Sequence, residues 1–227
     1  MLARTVAVRY TLIMTILAVA FDYGSVLAWP PASEGCDRVA AAAGVPRSVL
    51  LERYYRHRPA YDHGTLDDIE YWRHLTGGYP AERDDALLAT LAALDAELWS
   101  QANETVLGWL PELKRRGVRL AVLSNMPASF AHALEERDRW LELFDHRIYS
   151  GLVQLSKPDP AIYRLLLERM NDGPDSIGPG NVLFLDDLEA NVRGARAVGI
   201  NAELYNVFDG GLPRIAQEYG LPVPTEV

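Results

Sequence analysis

The chain has 227 residues, 49% hydrophobic and 23% charged, with 22 Lys+Arg against 31 Asp+Glu and a formal net charge of −9. That balance excludes a disordered chain, which lacks the apolar surface to fold. It also argues against a nucleic-acid binder, which needs a basic face. The single cysteine, Cys36, excludes an intrachain disulfide and a Cys-rich zinc framework, and a free thiol fits the cytoplasm. The length suits one large domain, or one domain with an insert.

In chain order, Arg4 and Arg9 precede an apolar run over residues 12–21, and Ala18-Val19-Ala20 has the form of a signal-cleavage site. The run is shorter than the about 20 residues of a membrane helix, so no membrane partner is expected. The favoured reading is a buried strand over residues 16–21 that ends at Asp22; cleavage after Ala20 would destroy it. Met14 offers an alternative start, which would make residues 1–13 an N-terminal tail. Ser33 is the expected N-cap of a helix over residues 33–44. A helical block rich in aromatic and charged residues follows over 46–103. A helix over 105–116 ends at Gly117, a natural C′ residue.

Strand and helix then alternate. Strands are expected over 118–123, 148–150, 182–185 and 201–205. Helices are expected over 128–139, 159–170, 188–198 and 212–219, with Pro160 tolerated in a first turn. Alternation implies an α/β fold, a Rossmann-like parallel sheet with right-handed crossovers. Continuous apolar strands imply helices on both faces. The block from 33 to 103 is too long for a simple crossover. It reads as an inserted helical cap above the carboxyl edge of the sheet, where open α/β sheets bind ligands. The expected division is a core of residues 14–32 and 104–227 and a cap of 33–103, with Trp29-Pro30-Pro31 as the hinge.

Four polar clusters fall at strand ends or helix starts: Phe21-Asp22-Tyr23-Gly24-Ser25, Leu123-Ser124-Asn125, Ser156-Lys157-Pro158 and Phe184-Leu185-Asp186-Asp187. Adjacent carboxylates repel unless a cation or proton compensates, and a hard divalent cation such as Mg²⁺ is the economical partner. Asp22 and Asp186 could share that ion, while Ser124, Asn125 and Lys157 bind a phosphate. Asp22 could then attack phosphorus as a nucleophile. Asn191 is a candidate partner for these carboxylates, against the plainer reading of an exposed helix position. Asp187 could equally cap the next helix. Tyr54, Tyr55, Tyr61, Tyr71 and Trp72 read mainly as cap core, with Arg56, Arg58 or Arg73 as possible pocket residues. Residues 137–140 read as a plain helix face.

These motifs, in this order, resemble those of the haloacid dehalogenase-like hydrolases over residues 16–205. The resemblance implies an Mg²⁺-dependent phosphatase acting on a small phosphorylated metabolite through an aspartyl-phosphate. It makes Asp22 and Lys157 catalytic. Ser124, Asn125 and Lys157 are implied to bind phosphate, and Asp22, Gly24, Asp186 and Asp187 to hold the metal, Gly24 through its carbonyl. The segment 61–75 resembles the cap of the sugar-phosphate phosphatases. One position departs from the family: its phosphatases usually carry a second Asp where this chain has Gly24. Losing a general acid costs about 10²–10⁴-fold, which favours leaving groups needing little protonation, such as anomeric sugar phosphates. Two rival expectations stand. A 2-haloacid dehalogenase would suit Tyr163 but not the Asp186-Asp187 pair. A phosphometabolite-binding protein without turnover would suit Gly24.

Overall fold

The computed structural model describes residues 15–172 and 176–224. The expected tail and the Met14 start lie outside them. Five strands, β1 (Ala18–Phe21), β2 (Arg119–Ser124), β3 (His146–Tyr149), β4 (Val182–Asp186) and β5 (Asn201–Leu204), form one parallel sheet in the order β3-β2-β1-β4-β5. The last four residues of the apolar run, 18–21, thus form the central strand. Its four residues are fully buried.

Side-chain alternation explains how two cores arise from continuous apolar strands. Val19, Phe21, Leu120, Val122, Leu183 and Leu185 face one layer. Ala18, Ala20, Ala121, Leu123, Val182 and Phe184 face the other. The first layer is closed by α5 (Glu104–Arg115), α6 (Ala128–Arg137) and α10 (Leu212–Glu218), through residues such as Trp109, Phe130 and Ile215. The second is closed by α8 (Pro160–Met170) and α9 (Glu189–Ala197), through Ile162, Tyr163, Val192 and Ala195. Each fully buried Val, Leu or Phe contributes about 1.5–3 kcal/mol. Gly117 ends α5 at φ 75, the left-handed geometry expected of it.

Between β1 and α5 lie α1 (Ser33–Ala43), α2 (Arg47–Asp62), α3 (Asp68–Thr76) and α4 (Asp85–Leu98). This helical layer has its own apolar core, built on Val39, Leu50, Tyr61, Tyr71, Trp72, Leu75, Leu88 and Leu91. The aromatic residues expected to fill it do so, except Tyr55, which is 72% exposed. Asp67 and Glu70 start α3 with a reciprocal capping box. The two chain passages into the layer run side by side: Trp29 N–H donates to the Gln101 carbonyl and Asn103 N–H to the Leu27 carbonyl. Trp29 packs on Phe208, with ring centroids 5.7 Å apart, and stands outside the cavity described below.

Three local expectations are corrected. Ser33 is not the cap of α1; Ala32 is, and the Ser33 hydroxyl instead accepts from Arg47. The third strand starts two residues earlier than residue 148, because His146 and Arg147 pair with Ala121 and Val122. These polar residues sit on an edge strand, where one-sided burial gives no apolar run. Ser150 leaves the strand to begin α7 (Ser150–Val153). Among the described residues no helix is long and apolar enough to cross a membrane.

Candidate active site

Strand order reverses at β1, whose neighbours are β2 and β4. Open α/β sheets bind ligands in the crevice outside the carboxyl ends at such a switch point. The register places the polar clusters there. Phe21 lies level with Val122 and Leu185, so the next residue, Asp22, emerges beside the ends of both neighbours. Its N–H continues the ladder to the Leu185 carbonyl at 2.9 Å. Ser124 ends β2 and Asp186 ends β4.

Lys157 comes from the connection between α7 and α8 and is buried under this edge. Its Nζ lies 2.6 Å from Asp186 Oδ2 and 2.9 Å from Asp22 Oδ1. The three side chains are 1%, 0% and 11% exposed, so solvent screens the charges little. Asp22 Oδ1 also accepts from the Tyr23 N–H at 2.7 Å. Both Asp186 oxygens accept from Asn191 Nδ2, at 2.9 and 3.2 Å, and Oδ1 also accepts from the Leu188 N–H. Asn191 is thus buried and pinned to Asp186, the partner role rather than the exposed one. The start of α9 is served by Asp186, not by Asp187.

Asp22, Asp186 and Asp187 each place a carboxylate oxygen within 4.8 Å of the others. Burial pushes the Asp22 carboxyl up to about 7; Lys157 opposes the rise and Asp186 adds to it. Burial and Asp186 likewise raise Asp187. Burial works against the Lys157 charge, but Asp22 and Asp186 outweigh it and raise its pKa. Three carboxylates against one ammonium leave an excess of negative charge in low dielectric. An all-oxygen donor set with that excess suits a hard divalent cation.

The Asn125 side chain lines the cavity and also has a structural task. Its amide clasps the Lys157 backbone, donating to the carbonyl and accepting from the N–H, each at 2.9 Å. It therefore holds the lysine in place. The Lys157–Pro158 connection packs closely on α9, where Gly194 leaves the space: a Cβ there would stand 2.7 Å from the Pro158 carbonyl oxygen. Ser124 is a buried residue that lines the cavity, and its hydroxyl makes no hydrogen bond to another described residue.

A cavity of about 580 Å³ opens over these groups, a size typical of small-molecule sites. Asp22, Gly24, Ser124, Asn125, Lys157 and Asp187 line its floor, all positions picked out in the sequence. Its roof comes from the helical layer: Tyr54, Tyr55, Arg58, Asp62 and Trp99. Of the three arginines considered, only Arg58 lines it. Arg56 and Arg73 lie in exposed pairs with Glu52 and Asp85. Gly24 faces Trp99, whose Cζ3 would stand 3.0 Å from an added Cβ. The indole thus crowds the space into which a side chain at position 24 would project. Tyr23 fixes that ring's backbone, donating to the Trp99 carbonyl at 2.7 Å. Residues 137–140 are more than a helix face: Arg137 reaches the Tyr23 hydroxyl at 3.5 Å and Trp140 stacks on the Tyr23 ring. The sequence carried no pattern for Trp99 or Asp62, which meet the floor only through tertiary folding.

Known proteins agree with this architecture. The chain is 28% identical over 187 residues to sesquiterpene phosphatase astK of Aspergillus oryzae, covering 82% of this chain and 88% of that one. It is 25% identical over 233 residues to mouse bifunctional epoxide hydrolase 2, covering 93% of this chain but only 40% of that longer protein. A HAD family enzyme from Bacteroides thetaiotaomicron, crystallised with magnesium and inorganic phosphate, superposes with a TM-score of 0.69 at 18% identity, over 86% and 96% of the two chains. An L-2-haloacid dehalogenase from Xanthobacter autotrophicus gives 0.61 at 22% identity, over 83% and 76%. At such identities the structures speak for the fold alone. The sequence profile of the haloacid dehalogenase-like hydrolases matches residues 16–199, most of the chain, and the protein is a member of that hydrolase family.

Proposed function

We propose that the protein is an Mg²⁺-dependent phosphatase of a small phosphorylated metabolite. The observation that carries this reading is the gathering of Asp22, Asp186 and Asp187 around buried Lys157, with Ser124 lining the same cavity. Asp22, the Gly24 carbonyl, Asp186 and Asp187 would hold the ion. When bound, magnesium offsets negative charge on the phosphoryl group and on the carboxylates. Lys157, Ser124 and Asn125 bind and orient the phosphoryl oxygens. Asp22 forms a bond to phosphorus as the ester P–O bond breaks, giving an aspartyl-phosphate. Water then attacks that phosphorus, releasing phosphate and restoring Asp22. The helical layer acts as a cap whose roof residues choose the leaving group. A sugar phosphate is the first substrate to test, given the sequence resemblance at residues 61–75 and a roof that mixes aromatic faces with the polar Arg58 and Asp62. The lone Cys36 suits work in the cytoplasm.

The test is a panel of phosphate esters assayed with and without Mg²⁺, beside Asp22→Asn. Phosphate release that needs both Asp22 and the metal supports the reading. Halide release from 2-chloropropionate without metal supports the dehalogenase alternative. Tight phosphometabolite binding with no release supports a binding protein.

A further inference from the structure

The roof of the cavity contains a buried polar network to which the reading above gives no part in the chemical steps. Arg58 Nε pairs with Asp62 Oδ1 at 2.6 Å, and its Nη1 pairs with Asp95 Oδ2 at 3.2 Å. The Tyr54 hydroxyl donates to Asp95 Oδ1 at 3.1 Å. Asp95 is saturated inside the helical layer and does not line the cavity. Asp62 does: it ends α2, its side chain is 15% exposed, and its second oxygen has no hydrogen-bond partner among the described residues. Hydroxyls of the sheet-bearing core hold this end of α2 and the start of α3 over the floor. Ser150 Oγ donates to the Asp62 carbonyl, Ser156 Oγ meets His63 Nδ1 at 2.9 Å, and Ser129 Oγ donates to Asp68 at 2.6 Å.

Among the described residues, three carboxylates line the cavity: Asp22, Asp62 and Asp187. The first is assigned to attack and the third to the metal. Position 24 is a glycine crowded by Trp99 and offers no side chain that could move a proton. From these placements we propose that Asp62, supplied from the roof, is the general acid and base of the reaction. This rests on the phosphatase reading. In the first step the Asp62 carboxylic acid gives its proton to the leaving-group oxygen as the P–O bond breaks and the Asp22–P bond forms. In the second step the Asp62 carboxylate takes a proton from the water attacking the aspartyl-phosphate, which returns Asp62 to its acid form. Burial suits the assignment, pushing this carboxyl up to about 6. The groups that face it are Arg58 on its own helix, Asp95 on α4 and Lys157 from the core; the two cations lower it and Asp95 raises it.

The experiment measures kcat/KM for wild type and Asp62→Asn over phosphate monoesters graded by leaving-group pKa, from p-nitrophenyl to simple alkyl phosphates. The expected result is a shallow dependence in wild type and a steep one in the variant. Asp62→Asn should lose about 10²–10⁴-fold on alkyl phosphates and less than about tenfold on p-nitrophenyl phosphate. The wild-type rate on alkyl phosphates should fall as pH rises above about 6, and the variant should lose that limb. Asp95→Asn opens the same Arg58 network yet keeps the Asp62 carboxyl, so it separates proton transfer from cap packing. It should retain the wild-type leaving-group slope. A loss in Asp62→Asn that is equal for all leaving groups, or a steep slope in Asp95→Asn too, overturns the assignment. If wild type shows no Asp22-dependent release on any ester, the phosphatase reading fails first.

Discussion

Replacing Lys157 with Met isolates the electrostatics of the site. Methionine nearly matches the lysine stem in length and volume, so little cavity or strain is introduced. What disappears is the ammonium 2.6 Å from Asp186 and 2.9 Å from Asp22. Removing one partner of a buried ion pair costs about 3–5 kcal/mol, because the remaining charge stays desolvated. Here two carboxylates are left facing each other, and Asp22 is already pushed up to about 7 with the lysine present. Without Lys157 it rises further, so the folded variant holds a proton that the unfolded chain releases. A carboxyl raised on folding contributes stability below its unfolded pKa, and that stability is lost as pH rises toward the folded pKa. Relative to wild type, Lys157→Met should therefore weaken by up to about 1.4 kcal/mol per pH unit per proton held. The assay is urea unfolding in EDTA at pH 5 and pH 7.5. At pH 7.5 the midpoint should drop by about 1–2 M for an m-value of about 2–3 kcal/mol/M, with a smaller drop at pH 5. A loss under about 1 kcal/mol, or one equal at both pH values, would refute the reasoning.

Three other outcomes follow from single contacts. Asn191→Ala removes one hydrogen bond from each oxygen of Asp186 and should weaken Mg²⁺ affinity about 10–100-fold, read from the metal dependence of turnover. Asn125→Ala removes two hydrogen bonds to the Lys157 backbone. At about 1 kcal/mol each it should lower stability by about 2 kcal/mol in thermal unfolding, and unchanged stability would refute the clasp. Gly24→Asp, which would restore the family's usual residue, meets Trp99 at 3.0 Å. It should cost about 1–3 kcal/mol by overpacking and raise activity only when combined with a smaller residue at Trp99.

The floor of the site was legible because it obeys local rules. Asp22 and Asp186 each follow an apolar strand, and a parallel sheet must bring such ends to one edge. Lys157 ahead of a proline-started helix belongs to the same pattern. The roof was not legible, because no spacing in the chain relates Trp99 to Gly24 or Asp62 to Asp22. Their meeting depends on the helical layer returning across the sheet edge on two paired passages. Arg58 looked like Arg56 and Arg73 in sequence, and only burial beside Asp62 and Asp95 distinguishes it. Asn125 shows a subtler gap: a polar residue at a strand end signals a site without saying whether it touches ligand or holds the residue that does.

The central claim, a phosphoryl group carried on Asp22, is tested most directly by rapid quench of the Mg²⁺-loaded enzyme with a phosphate ester and peptide mapping by mass spectrometry. The account predicts a hydroxylamine-sensitive phosphoryl adduct on the Asp22 peptide, absent in Asp22→Asn. Turnover that persists in Asp22→Asn, with no adduct on that peptide in wild type, would contradict it.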